Sequence, residues 1–116
     1  MTDSNTVSLQ YLMRSALPPE ARLVAGPPDV QINWAVMLRA QPPAATELYG
    51  GEIALAQLDL LRSFESRLTV TEIVQRLADA KAGAVAIRMR EDVPSQAISI
   101  ANQENIALIL LPMESN

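Results

Sequence analysis

The sequence predicts an α/β domain, a single compact unit with a mostly parallel or mixed sheet of about four to six strands flanked by helices. Three observations carry this. The C-terminal half alternates helix, strand, helix, strand, and the stretch from 84 to 111 has the length of a parallel crossover. The run Ile106–Leu111 is apolar throughout, which suits a central strand covered on both faces better than an edge strand. Pro18-Pro19, Gly26-Pro27-Pro28-Asp29, Pro42-Pro43, Gly50-Gly51, Gly83, Pro94 and Pro112 cut the chain into short elements, with no linker, internal repeat or low-complexity tract between them.

Along the chain, Ser8 caps a short helix to about Ser15, with Leu9, Leu12 and Met13 facing inward and the first proline pair as its stop. Ala21–Ala25 reads as a strand ending in a glycine turn. Asn33–Leu38 and Glu52–Ala56 are the next strands, the second pointing Ile53 and Leu55 to one side. Gln57–Leu68 reads as a helix through Leu58, Leu61 and Leu68, with Phe64 near that stripe and Leu60 off it. Val70, Ile73, Val74, Leu77 and Ala78 follow the i, i+3, i+4, i+7, i+8 stripe of an amphipathic helix. Thr69 and Glu72 have capping-box spacing, Glu72 and Arg76 form an i, i+4 pair, and Gly83 supplies the stop. Ala84–Met89 is a strand. Pro94 then opens a helix at its first position, where a missing N–H costs little, and that helix runs to about Glu104. Pro112 ends the last strand.

Composition excludes several kinds of chemistry. A chain of 116 residues without cysteine or histidine has no disulfide framework, thiolate nucleophile, His-based triad or common zinc site. One domain is what this length allows. Thirteen acids against nine bases give a net charge of −4, the wrong sign for a nucleic-acid surface, and four aromatic residues make no stacking platform. Met1–Thr6 lacks the pattern of a secretory signal. The longest apolar run, Ile106–Met113, is far short of the ~20 residues that span a bilayer. A soluble cytoplasmic protein that needs no cofactor is the expectation.

Candidate sites are few. In Gly26-Pro27-Pro28-Asp29 two prolines remove the N–H donors a phosphate cradle would use, so a structural turn is favoured. Gly50-Gly51 either lets a ligand approach the backbone or makes a tight turn with positive φ, and the turn is favoured. Glu52, between that turn and an apolar strand, is the acid to examine first. Trp34 is a pocket wall or a subunit contact, although a lone Trp is more often a core residue. Arg39 binds an anion or ends a strand in solvent. Glu91 and Asp92 read most simply as a solvated turn before a helix. A carboxylate or Mg-dependent hydrolase using Glu52 or Asp92 is the enzyme reading left by composition, but neither an acid pair across a pocket nor a magnesium set from Asp29, Glu52 and Asp92 is indicated by spacing.

Four pieces in order then resemble the N-terminal domain of PucR-type bacterial transcriptional regulators, the purine-catabolism regulator family. They are Val7-Ser8-Leu9 with Leu12; Leu23-Val24-Ala25-Gly26 followed by Ile32-Asn33-Trp34-Ala35-Val36; Leu48-Tyr49-Gly50-Gly51-Glu52-Ile53-Ala54-Leu55; and Leu77-Ala78, Ala84-Val85-Ala86-Ile87, Val93-Pro94, Ile100-Ala101 and Leu108-Ile109-Leu110-Leu111-Pro112. The resemblance covers nearly the whole chain. It implies that residues 1–116 are a non-enzymatic regulatory domain that senses a small metabolite or makes contacts between subunits in a homo-oligomer, and that DNA is touched only by a separate C-terminal helix-turn-helix. Either these residues are the front of a longer regulator, which the short tail after Met113 favours, or the organism makes an isolated version. On this reading Trp34, Arg39, Gly50, Gly51 and Glu52 are the candidate ligand-binding residues. The chain departs from the family pattern at Ala56-Gln57-Leu58, where threonines and a glycine are usual, around Arg39 to Pro43, where the family is more acidic, and at Ala107, where proline is common. A purine-related ligand therefore does not carry over automatically.

Overall fold

A computed structural model describes residues 7–37, 50–63, 65–90 and 92–112. The elements run β1 (Val7–Ser8), α1 (Leu9–Ser15), β2 (Arg22–Ala25), β3 (Gln31–Ile32), β4 (Trp34–Met37), β5 (Glu52–Gln57), α2 (Leu58–Arg62), α3 (Val70–Asp79), β6 (Ala84–Arg88), α4 (Ser95–Glu104) and β7 (Ala107–Leu111). Five strands form one sheet in the order β2-β7-β6-β5-β4. Strands β4 to β7 are parallel and β2 joins β7 antiparallel, so the sheet is mixed, within the predicted class.

Strand alternation splits the core into two layers. Ala54, Ala56, Val85, Ile87 and Leu108 face a cluster that includes Ile73, Val74 and Leu77 of α3 and Ala97 and Ala101 of α4. Ile53, Ala84, Ala86, Ala107 and Ile109 face the opposite side, where Leu9 of α1 and Ile32 of β3 close a smaller cluster. The apolar run at the chain's last strand is explained by this geometry, because β7 lies between β2 and β6 and is covered on both faces. A fully buried leucine such as Leu77 contributes about 1.5–3 kcal/mol through its removal from water.

The caps follow the sequence at two helices. The Tyr11 amide donates to Ser8 Oγ at 3.2 Å. At α3 the capping box is complete, with Glu72 N–H on Thr69 Oγ1 and Thr69 N–H on Glu72 Oε1, both at 3.1 Å. Other expectations need correction. The helix over Gln57–Leu68 is only Leu58–Arg62, because Gln57 closes β5 and the chain turns at Ser63, whose hydroxyl donates to Leu60 O. Arg62 Nε then donates to Leu68 O, which holds the turn leading to the Thr69 cap; Phe64 lies outside the described residues. Leu60 is exposed, while Leu58, Leu61 and Leu68 are buried.

Arg76 does not take Glu72 as its partner. Glu72 is engaged at the cap, and Arg76 instead makes a two-pronged bond to Glu65 at 3.1 and 3.0 Å. That hydrogen-bonded carboxylate raises the Arg76 pKa above its ordinary value, with burial opposing. Gly83 is not the stop of α3. Lys81 turns the chain there in the left-handed region, φ 67°, while Gly83 donates its N–H to Glu52 O at 2.8 Å and so begins the β5–β6 ladder. Pro94 sits one position earlier than expected, as the N-cap of α4, and the strand before it ends at Arg88.

The expected strand Asn33–Leu38 is divided. Gln31–Ile32 pairs with Val7–Ser8 in an antiparallel ribbon that the sequence reading missed, and Trp34–Met37 pairs with β5; Leu38 lies outside the described residues. Asn33 separates the two pieces and gives its N–H to Gly51 O at 3.0 Å. The Gly26 turn after β2 is structural, as expected. Its φ is +86°, its N–H donates to Asn102 Oδ1 at 2.9 Å, and a Cβ there would lie 2.1 Å from Ile106 O.

Candidate functional site

Four of the five candidate ligand-binding residues come together at the N-terminal end of β4 and β5. Trp34 pairs with Glu52 in the parallel register, and Gly50-Gly51 forms the turn that leads into Glu52. Arg39 lies outside the described residues. The turn is the tight, positive-φ kind expected, with φ 111° at Gly50 and 80° at Gly51. A web of bonds closes it: Gly50 N–H donates to Glu52 Oε1 at 2.8 Å, Gly51 N–H to Lys81 O at 2.9 Å, and Asn33 Nδ2 to Gly50 O at 3.2 Å.

Glu52 is the one buried charged residue among the described residues, at 3 % exposure. Its carboxylate is turned onto the backbone of its own turn, which gives it a structural role. Asp29 and Asp92 are exposed, and Glu91 lies outside the described residues. Among the described residues, no three or more acidic, His or Cys side chains come together as a metal site.

Trp34 is not the core residue that a lone Trp more often is. It is 69 % exposed, because β4 is an edge strand among the described residues and nothing beyond it covers the ring. Trp34 stands instead at the rim of a groove of about 290 Å³ between α1 and the β4–β5 edge of the sheet. The floor is Ala35, Ile53 and Leu55. Leu12, Ala16 and Leu17 make the α1 wall, while Val7, Ile32 and Asn33 from the β1–β3 ribbon close one end. No charged side chain lines it. Gly50, Gly51 and Glu52 are not part of the lining; they set the β5 register that puts Ile53 and Leu55 on the floor.

The sequence reading missed the α1 wall. Leu12 was visible as an inward position of a short helix, but no local signal says that this helix crosses to the edge of the sheet holding Trp34. Asn33 was visible only as a flank of Trp34. Among the described residues, no helix is long and apolar enough to cross a membrane.

Comparison with known proteins bears on this arrangement. Among solved structures, the chain resembles the CBS and DRTGG domains of the regulatory region of Clostridium perfringens pyrophosphatase, crystallised in complex with its activator diadenosine tetraphosphate, with a TM-score of 0.53 and 19 % identity. The match covers 99 % of this chain and 47 % of that one, so the chain spans about half of that structure's length. At this identity the likeness is one of fold. No significant match is found among curated proteins. The model of the purine catabolism regulatory protein-like family, PucR, matches residues 10–116, from α1 through the end of the chain, and the protein therefore belongs to that family.

Proposed function

We propose that residues 1–116 form the sensory, non-enzymatic front domain of a longer cytoplasmic transcriptional regulator, and that a small-molecule effector binds in the groove beside Trp34. The family match over residues 10–116 carries this reading. Two further features support it. The fold resembles the regulatory region of a pyrophosphatase, and the groove is of the size and apolar character of a small ligand site. In this reading DNA is bound by a separate C-terminal helix-turn-helix, and the effector changes its disposition.

A thermal-shift screen of purines, their breakdown products and small acids tests the proposal. A ligand at a hundredfold excess over its Kd stabilises by about 2.7 kcal/mol, and that gain is expected to shrink in Trp34→Ala. A full-length regulator whose output is the same with and without every stabilising compound, and in Trp34→Ala, would overturn it.

A second reading, self-association, has its own observation. The β2 edge is guarded by Arg22 and by a register irregularity between Leu23 and Ala25, whereas β4 is an uncharged Trp-Ala-Val-Met strand in unbroken register with β5. Antiparallel pairing of β4 with its copy would join two sheets. Light scattering over a concentration series decides: a dimer split by Val36→Lys supports it, and a strict monomer at high concentration removes it.

A further inference from the structure

We infer that the molecule bound in the groove is electrically neutral, with a flat apolar body of one or two fused rings, and that nucleotides, phosphates and carboxylates are rejected. This rests on the groove being the effector site and names the chemistry it selects. None of the residues lining the groove is charged. Its one polar side chain, Asn33, commits its amide N–H to the carbonyl of Gly50. An anion would leave water for walls of Leu12, Leu17, Ile53 and Leu55 without a cation to meet it, a cost of several kcal/mol. The chain's net charge of −4 adds a general repulsion.

Shape points the same way. A volume near 290 Å³ lies at the low end of ligand pockets, about 300–1,000 Å³. The exposed Trp34 indole at the rim offers a flat face for stacking. A polyanion such as the activator named with the pyrophosphatase structure is not the class of molecule that this surface fits.

Two dyes of nearly equal shape test the inference: neutral N-phenyl-1-naphthylamine and its anionic relative 8-anilino-1-naphthalenesulfonate. Trp34 is the only Trp, so quenching of its fluorescence reports binding at the rim. The neutral dye is expected to bind the 116-residue chain at least about tenfold more tightly. Ala16→Arg, an exposed position on the α1 wall, places a cation at the groove and is expected to reverse the order. Equal or tighter binding of the sulfonate to the unaltered chain overturns the inference, as does a ratio that Ala16→Arg leaves unchanged. Dye binding that disappears as the chain self-associates in light scattering also overturns it, with a second copy as the occupant. Sensing itself is separated by the regulator's output. If the dye preference holds but Trp34→Ala responds normally, the sensory reading fails and the groove chemistry stands; a loss of dye preference with a normal ligand-dependent output does the opposite.

Discussion

Replacing Gly26 by alanine should cost far more stability than replacing Gly50, although both glycines have positive φ. An L-residue in the left-handed region costs roughly 1–2 kcal/mol at either position. At Gly50 the nearest atoms to a new Cβ, on Lys81, are 3.7 Å away, so little is added. At Gly26 the new Cβ would lie 2.1 Å from Ile106 O and 2.8 Å from Ala107 Cα, both backbone atoms at the start of the buried strand β7. Relief requires β2 or β7 to move, an overpacking cost of about 1–3 kcal/mol. Movement also strains the bond from Gly26 N–H to Asn102 Oδ1, worth about 1 kcal/mol. The expected losses are about 3–5 kcal/mol for Gly26→Ala and about 1–2 for Gly50→Ala, against a total stability of roughly 5–15 kcal/mol. Urea unfolding followed by far-ultraviolet circular dichroism measures both. Equal losses would refute the reasoning, because they would mean that β2 and β7 are not locked at this crossing.

Smaller effects follow from other contacts. Thr69→Ala removes half of the capping box and should cost about 1 kcal/mol in urea unfolding. Leu77→Ala empties a fully buried site and should cost about 2–5 kcal/mol, whereas Leu60→Ala, exposed on α2, should stay within about 0.5 kcal/mol. Glu52→Ala orphans the Gly50 N–H and should cost about 1–3 kcal/mol, while Glu52→Gln keeps an acceptor and loses less; neither should shift neutral-dye affinity by more than its effect on folding, as checked by titration on the folded chain. Glu65→Gln should change stability by less than about 1 kcal/mol in the same unfolding assay, because both partners of the Arg76 pair are partly exposed. Arg76's raised pKa contributes stability that is present below its unfolded value and is lost only as pH rises through its folded one, so wild-type stability should not respond to this group in a pH series through the neutral range.

The helix-strand order of the second half was legible because its signals are local. Thr69 and Glu72 carry their cap in four residues, the Val70 to Ala78 stripe states which face is buried, and the run at 107–111 states that its strand is covered twice. What failed was decided at a distance. The stripe through Leu58, Leu61 and Leu68 is real, since all three are buried, but Ser63 and Arg62 bend the chain so that Leu68 reaches the core from a turn. Arg76 found Glu65 across that same turn, where i, i+4 spacing pointed to Glu72. Lys81 in the left-handed region violates the preference for glycine, and the nearby Gly83 drew the prediction to itself. The candidate site was half legible. The glycine turn and Trp34 stood out as unusual residues, but Glu52's inward carboxylate and the α1 wall depend on which elements the sheet places side by side.

The position of β7 also governs when the fold can form. The strand nearest the middle that joins the antiparallel edge is the last to be synthesised, and Arg22 of β2 pairs with Leu110. At about 5–20 residues per second of synthesis, β2 waits on the order of 5 to 20 s for its partner. Until then both β2 and β6 present unpaired apolar edges, and the α1 layer has nothing complete to close upon. The nascent chain is thus most vulnerable to wrong strand pairing shortly before Ala107 emerges, and shortening it to any point before that residue leaves two sticky edges in place of a finished sheet.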